Sequence, residues 1–279
     1  RAMNEADVLI MVGARVADRA ISQPDIIFDN KTLIHIDVDP AEIGKNAQAT
    51  IPIVGDAASI LSEIQESDIT CDTSAWVDTL EEYRNTMTPK RTPDPKYVDP
   101  CMFIRRLTDR MEDDAIYVAD VGQNQIWSCG YAIVRNGRFL TSGGMGTMGY
   151  SIPAAMGAKY ACPDKQVVAV CGDGSFQMSL MELATMRQHG IQGKIVVMSN
   201  GYLGMVREYQ HYTYKDNYSV VDLSGSPDLN KIAEAYGFKY ICLENMDKCD
   251  EVIDEFLTSA DSVTHSFATP SRATSWPTA

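Results

Sequence analysis

Apolar residues in this chain gather in short runs that end in glycine or acid. Val8-Leu9-Ile10-Met11-Val12 leads into Gly13, Thr32 to Val38 contains Asp37 and meets Asp39, and Ile51 to Val54 stops at Gly55-Asp56. A helical stretch carrying Ala58, Ile60, Leu61 and Ile64 follows the third run. Short strands that end in Gly or Asp and precede helices mark a parallel sheet, whose ligands sit at the carboxyl ends of the strands. The pattern recurs later, with strands predicted at Ile116 to Ala119, Phe139 to Thr141, Val167 to Cys171, Lys194 to Met198 and Tyr240 to Leu243. Helices are predicted between them. One holds Phe103, Leu107 and Met111, opened by Asp99 as N-cap and Pro100 at N1. Another spans Met178 to His189 with Gly190 as its cap, and a third holds Leu229, Ile232, Ala233 and Tyr236 before Gly237. The expected fold class is α/β, with two parallel-sheet, doubly wound domains.

Residues 86–100 read TMTPKRTPDPKYVDP, with four prolines in fifteen positions and no apolar periodicity, which predicts a stiff linker. The expected organisation is a first domain at 1–85, the linker at 86–100, a second domain at 101–257 and a disordered tail at 258–279. The tail assignment rests on ten Ser or Thr in its 22 residues. The chain opens at Arg1 and is in a buried-strand pattern by Val8, so it is expected to be a piece of a larger polypeptide.

Charge narrows the functions. Lys and Arg number 24 against 38 Asp and Glu, for a net charge of −14. Binding to a phosphate backbone needs the opposite sign, so nucleic acid is not an expected partner. A local site for a small anion, neutralised by a metal or by backbone amides, remains compatible with that total. The seven cysteines form no CxxC pair, which suggests reduced thiols in a cytoplasmic protein. The apolar runs fall well short of the roughly 18 residues of a spanning helix, and no membrane partner is expected.

The densest chemistry lies where Val167 to Cys171 runs into Gly172-Asp173-Gly174-Ser175 and the next strand runs into Ser199-Asn200-Gly201. A right-handed crossover returns the chain parallel, placing both strand ends on one sheet edge, about 5 Å apart as neighbours or about 10 Å with one strand between. Asp173 and Asn200 can then converge. A carboxylate, an amide oxygen and a backbone carbonyl leave room for phosphate oxygens and water around an octahedral Mg2+. Glycines 172 and 174 remove side chains where phosphate approaches, and a helix start at Ser175 offers N–H groups. Taken alone, Gly-Asp-Gly reads more readily as a turn, and it is the second strand end with Asn200 that shifts the weight to a binding site.

The Gly-Asp-Gly with Asn200 27 residues after Asp173, and the segments TSGGMGTMGYSIPAAMGAKY, GDGSFQMSLMELATMR and NGYLGMVREYQ, resemble the catalytic subunits of the acetolactate (acetohydroxyacid) synthase family. The resemblance runs over about residues 5 to 255. It implies thiamine diphosphate, Mg2+ and FAD as cofactors. It also implies pyruvate and 2-ketobutyrate as substrates, with a hydroxyethyl unit passed from decarboxylated pyruvate to a second 2-keto acid. Asp173, Asn200 and the Tyr202 carbonyl would hold Mg2+. Gly172, Gly174, Ser175, Leu203, Gly204 and Met205 would surround the diphosphate. Val121, Gly122, Gln123 and Asn124 stand at the family's Val-Gly-Gln-His stretch, with Asn124 replacing His. Gly146 and Met148 would grip the aminopyrimidine.

By the same resemblance, Gly13, Arg15, Asp18, Arg19, Asp37, Val38, Asp56 and Ala57 would touch FAD, with Val16 and Ala17 replacing the family's Phe-Asp. Helix capping is the competing reading of those strand-end acids. Ser199 replaces the first Asn of an Asn-Asn pair, and Tyr209 stands where a Trp usually favours 2-ketobutyrate, so Tyr209 is the expected substrate-pocket residue. The catalytic Glu of the family belongs to an N-terminal domain, and no Glu of this chain takes its role. A homodimer or tetramer of the full-length chain and a small regulatory subunit are the implied protein partners. Another thiamine-diphosphate carboligase, a 2-keto acid decarboxylase, or a non-catalytic cofactor-binding fragment are the alternatives.

Overall fold

Within the computed structural model, which describes residues 1–17, 21, 23–67, 69–87, 94–260 and 262–267, the apolar runs become two parallel sheets in two compact units divided between residues 90 and 91. The first unit holds α1 (Ala2–Glu5), β1 (Val8–Val12), α2 (Pro24–Phe28), β2 (Thr32–Asp37), β3 (Ile51–Val54), α3 (Ala57–Glu66) and α4 (Ser74–Met87). Its sheet has the order β1-β2-β3, with Val8 beside Thr32 and Ile34 beside Ile51. The central strand is the buried one. Leu33, His35 and Ile36 are enclosed, whereas the edge strands leave Val8, Ile10, Ile51 and Val54 exposed. Among the described residues its buried apolar cluster is small: Val16, Ile21, Leu33 and Ala47.

The second unit holds α5 (Pro100–Arg110), β4 (Ile116–Ala119), α6 (Gln123–Tyr131), β5 (Arg138–Thr141), α7 (Ser151–Ala161), β6 (Val167–Gly172) and α8 (Asp173–Ser179). It continues with α9 (Glu182–His189), β7 (Lys194–Ser199), α10 (Gly204–Tyr214), α11 (Leu229–Ala235), β8 (Lys239–Leu243), α12 (Cys249–Thr258) and β9 (Ser262–Phe267). All six strands run parallel in the order β5-β4-β6-β7-β9-β8. Alternation along the strands divides the core in two. Tyr117, Val168, Val170 and Val196 face α5 and α12 through Phe103, Leu107, Ile253 and Phe256. Val118, Ala169, Cys171 and Val197 face α7, α8, α9 and α11 through Ile152, Phe176, Leu183 and Ala233. Both faces are therefore covered, which is why the strands read as continuous apolar runs rather than as alternating ones.

Three expectations are corrected. The segment 258–279 is not wholly a disordered tail, because α12 extends to Thr258 and Ser262–Phe267 forms β9. That strand lies between β7 and β8 and pairs with both, from Lys194 beside Ser262 to Leu243 beside Ser266. A Ser/Thr-rich composition concealed it, although Val and Thr are good strand formers and a two-sided ladder satisfies the backbone. Residues 268–279 lie outside the described residues. The helix expected at Met178 to His189 is two helices, since α8 begins at Asp173 and a turn at Leu180-Met181 separates it from α9. Lastly, the linker is shorter than 86–100: α4 reaches Met87, and Val98 is fully buried in the core against α5. Asp99 does cap α5, its Oδ1 accepting from the Met102 N–H at 2.9 Å, with Pro100 at the first position.

Candidate functional site

The chain crosses from β4 to β5 on one side and reaches β6 on the other, so the strand order reverses between β4 and β6. In open parallel sheets the crevice at such a reversal, outside the carboxyl ends, is where ligands bind. The loops opening there are 120–123 after β4 and the start of α8 after β6. They touch directly: the Ser175 hydroxyl donates to the Val121 carbonyl at 3.1 Å. Gly122 adopts φ 141° and a Cβ there would lie 2.7 Å from Asn124 Oδ1, so only glycine fits.

Asp173 is the first residue of α8 and is buried. Since β7 is the neighbour of β6, the Asp173 carboxylate reaches the next strand end. Its Oδ2 accepts from the N–H groups of Asn200 (3.1 Å) and Gly201 (2.8 Å) and from the Ser199 hydroxyl (3.2 Å). Its Oδ1 accepts from the Gly174 N–H at 2.9 Å. Burial pushes this carboxyl above its ordinary range, against the pull of those N–H groups and the Ser199 hydroxyl. Ser199 thus supplies a donor to the carboxylate from the position where it departs from the Asn-Asn pair.

Asn200 points its Oδ1 at the Tyr202 N–H, 2.9 Å away, and its Nδ2 at Gln123 Oε1, 3.3 Å away. Gln123, nearly buried at the start of α6, in turn donates through Nε2 to Glu208 of α10 at 2.9 Å. Gly204 opens α10 beneath this pair, where a Cβ would come within 2.1 Å of Gln123 Oε1. Asn124 is spent differently: its Nδ2 bridges the carbonyls of Asp120 (2.8 Å) and Val170 (3.3 Å), tying β4 to β6.

The glycine-rich segment 143–149 joins at Gly174. A Cβ on Gly174 would meet Leu203 Cδ2 at 2.6 Å, Leu223 Cδ1 at 3.3 Å and Met148 Cε at 3.4 Å, so three distant segments close around one small residue. Gly146 and Gly149 both have positive φ. Asp120 fastens the segment: fully buried, it accepts from the N–H groups of Val121 (2.8 Å), Gly149 (3.0 Å) and Ser151 (2.7 Å). Met205 follows Gly204 in the first turn of α10. Tyr209, farther along α10, is largely exposed and stands edge-on to Tyr214 with ring centres 5.9 Å apart.

In the first unit, Gly13, Asp37 and Asp56 all follow or end parallel strands. Gly13 has φ 58° and its N–H donates to the Ile36 carbonyl. Asp37 accepts from the Asp39 N–H, and Asp56 caps α3 by accepting from the Ser59 N–H and hydroxyl, which holds its carboxyl below the ordinary range. Both acids therefore do turn and capping work. Arg15 and Val38 are exposed, Ala57 opens α3, and Val16 is core. Asp18 and Arg19 lie outside the described residues.

Among the described residues no cluster of three or more His, Cys, Asp or Glu could hold a metal. The donors beside Asp173 are of another kind, a single carboxylate with an amide oxygen. Oδ1 of Asp173 and Oδ1 of Asn200 each accept one N–H, and such oxygens have a second lone pair to offer a hard cation. Asp120, Glu208 and Leu223 were not among the sequence candidates. The strand-end criterion that selects Asp173 selects Asp120 equally, while Glu208 and Leu223 carry no local signal.

The family described as "Thiamine pyrophosphate enzyme, C-terminal TPP binding domain" matches residues 120–265, and the corresponding central domain matches residues 1–64. The chain is 39% identical over 246 residues to the acetolactate synthase large subunit of Lactococcus lactis subsp. lactis, covering 88% of this chain and 43% of that protein. It is 39% identical over 248 residues to the acetolactate synthase of Arthrospira platensis, covering 85% and 42%. With the acetolactate synthase of Mycobacterium leprae it shares 37% over 279 residues, covering 94% and 43%. The chain spans about half the length of the curated relatives it matches. With glycine-lined strand ends at the reversal point of a parallel sheet, and a family match over the residues that form them, this chain belongs to the thiamine pyrophosphate enzymes.

Proposed function

We propose that this chain carries the metal- and diphosphate-binding part of an acetolactate synthase, which decarboxylates pyruvate and passes a hydroxyethyl unit to a second 2-keto acid, pyruvate or 2-ketobutyrate. The observation that carries the proposal is the junction of Asp173 and Asn200 at neighbouring strand ends, under a glycine-lined opening. Asp173, Asn200 and the Tyr202 carbonyl would hold Mg2+. The N–H groups at the start of α8, with Gly172, Gly174, Ser175, Leu203, Gly204 and Met205, would receive the diphosphate. Thiamine diphosphate, when bound, supplies the electron sink for cleaving and forming carbon–carbon bonds. The protein's part is to bind and orient it: Val121, Gly122 and Gln123 would line the opening, and Gly146 and Met148 would border it from the fastened loop. Leu203, Leu223 and Met148 make the wall apolar, which excludes water and strengthens the polar contacts inside.

The proposal extends to FAD at the strand ends of the first unit, where Gly13, Arg15, Asp37, Val38, Asp56 and Ala57 would meet it, together with Asp18 and Arg19. Flavin absorbance of the purified chain tests that part separately. A reducing, cytoplasmic setting fits seven free cysteines. Assembly of the full-length protein into a homodimer or tetramer with a small regulatory subunit is part of the same reading. Calorimetric titration tests its centre. Asp173→Ala should abolish Mg2+-dependent binding of thiamine diphosphate, because the anionic diphosphate loses its bridging cation. Equal affinity in the variant and the unsubstituted chain would defeat the proposal.

A further inference from the structure

The polar bridge that leaves Asn200 on the side away from Tyr202 has a fixed direction. At one end the Tyr202 main-chain N–H can only donate, so Asn200 must turn its Oδ1 toward it. At the other end the Glu208 carboxylate can only accept, so Gln123 must turn its Nε2 toward Glu208. Between them, the Asn200 Nδ2 meets Gln123 Oε1, the one pairing that both ends allow. Flipping either amide would set donor against donor or acceptor against acceptor. Gly204 and Glu208 lie one helical turn apart on α10, the glycine leaving space for the two amides and the glutamate receiving the end of the chain. Glu208 itself is half-buried and one residue from Tyr209.

From this polarity we propose that Glu208 is a positioning residue: through Gln123 it holds the Asn200 amide with its oxygen presented to the cation, and so couples α10 to the metal site. The role rests on the cofactor reading above. It concerns the partner of a metal ligand rather than a ligand. Such outer partners commonly govern metal affinity by about 10 to 100-fold. Among the described residues Glu208 is hydrogen-bonded to Gln123 and shares no hydrogen bond with Asp173 or the main-chain N–H groups that hold it, so removing it leaves the carboxylate in place.

The test compares Glu208→Leu and Glu208→Gln with the unsubstituted full chain. Mn2+ serves as the probe ion, read by electron paramagnetic resonance in the presence of thiamine diphosphate. Glu208→Leu should weaken Mn2+ binding about 10-fold or more, and Glu208→Gln, which keeps an acceptor oxygen, should retain most of the affinity. Glu208→Leu should melt somewhat lower, because the buried Gln123 NH2 loses its acceptor, whereas Glu208→Gln should melt with the unsubstituted chain. Unchanged Mn2+ affinity in Glu208→Leu, or a loss equal in both variants, would overturn the positioning role. A second readout needs no metal: the Gln123 side-chain NH2 protons should exchange slowly with solvent in the unsubstituted chain and faster in Glu208→Leu. If they exchange like those of an exposed glutamine from the start, the bridge does not exist and the inference falls by itself. Failure of the unsubstituted chain to take up Mn2+ while the NH2 protons stay protected would instead overturn the cofactor reading, and the metal-directed role with it.

Discussion

Tyr209 and the cysteines show how differently single residues are tuned in this chain. Tyr209 sits exposed on α10 one position beyond Glu208, and its place in an acceptor pocket is part of the proposed function. On the proposed acetolactate synthase reading, Tyr209→Trp should shift the ratio of 2-ketobutyrate to pyruvate used as acceptor by the full-length protein, since an indole offers more apolar wall than a phenol. Contacts worth one or two methylenes set a ceiling of roughly 10 to 200-fold, and a competition assay with both acceptors measures it. An unmoved ratio removes Tyr209 from the pocket. The thiols divide by burial instead. Cys249 is pushed up to about 11 by burial, and Cys171, enclosed within β6, is raised well above its ordinary value for the same reason. Exposed Cys71 should therefore be alkylated first by iodoacetamide at pH 8, with Cys171 and Cys249 protected until the chain unfolds. Peptide mapping of a time course would contradict this if Cys249 were labelled along with Cys71.

Elements are held at the site by polar ties as much as by packing. Asp120 at the end of β4 satisfies N–H groups at the close of the glycine segment and at the first residue of α7, a helix with no side-chain cap of its own. Asp120→Ala would leave the Gly149 and Ser151 N–H groups unpaired near the core. At about 1 to 3 kcal/mol for each orphaned group, a loss of at least about 2 kcal/mol is expected in urea unfolding. A smaller loss would mean that the segment finds other partners. Asp173 and the strand that precedes it were legible because an apolar run ending in Gly-Asp-Gly has a local signature. Asp120 has the same strand-end signature but no glycine before it, and its partners lie 29 and 31 positions onward. Glu208 was hidden for a similar reason, its link to Gln123 spanning 85 positions. β9 escaped for a different reason: composition classed Ser262 to Phe267 as polar tail, whereas its stability comes from ladders on both sides, which no local pattern reports. The acids Asp37 and Asp56 were legible as strand-end residues. Each accepts a nearby N–H here, which caps a turn and leaves carboxylate lone pairs over for a ligand.

At the scale of the whole molecule, the two units differ in how much apolar surface each encloses by itself. The second has a six-stranded sheet covered on both faces, with Val168, Ala169, Val170 and Val196 wholly excluded from solvent. The first has, among the described residues, three strands, four buried residues in its apolar cluster and exposed Val8, Ile10, Ile51 and Val54 on its edges. Its central strand also buries His35, whose two ring nitrogens find no hydrogen-bond partner among the described residues, an added cost to that core. Apolar burial stabilises at roughly 25 cal/mol per Å2, so opening the second sheet exposes far more than opening the first. Amide exchange reports this directly, because protection follows the free energy of the opening that frees each N–H. The N–H groups of Val168, Val170 and Val196 should exchange slowest, at the rate set by unfolding of the second unit, while those of Ile51 and Ile53 in the edge strand β3 should exchange orders of magnitude faster. Raising urea in small steps should release the β3 amides at concentrations that leave β6 and β7 untouched. Equal protection of Ile53 and Val170 across that series would show that the first sheet is as stable as the second, and the difference in enclosed area would then not decide where this chain opens first.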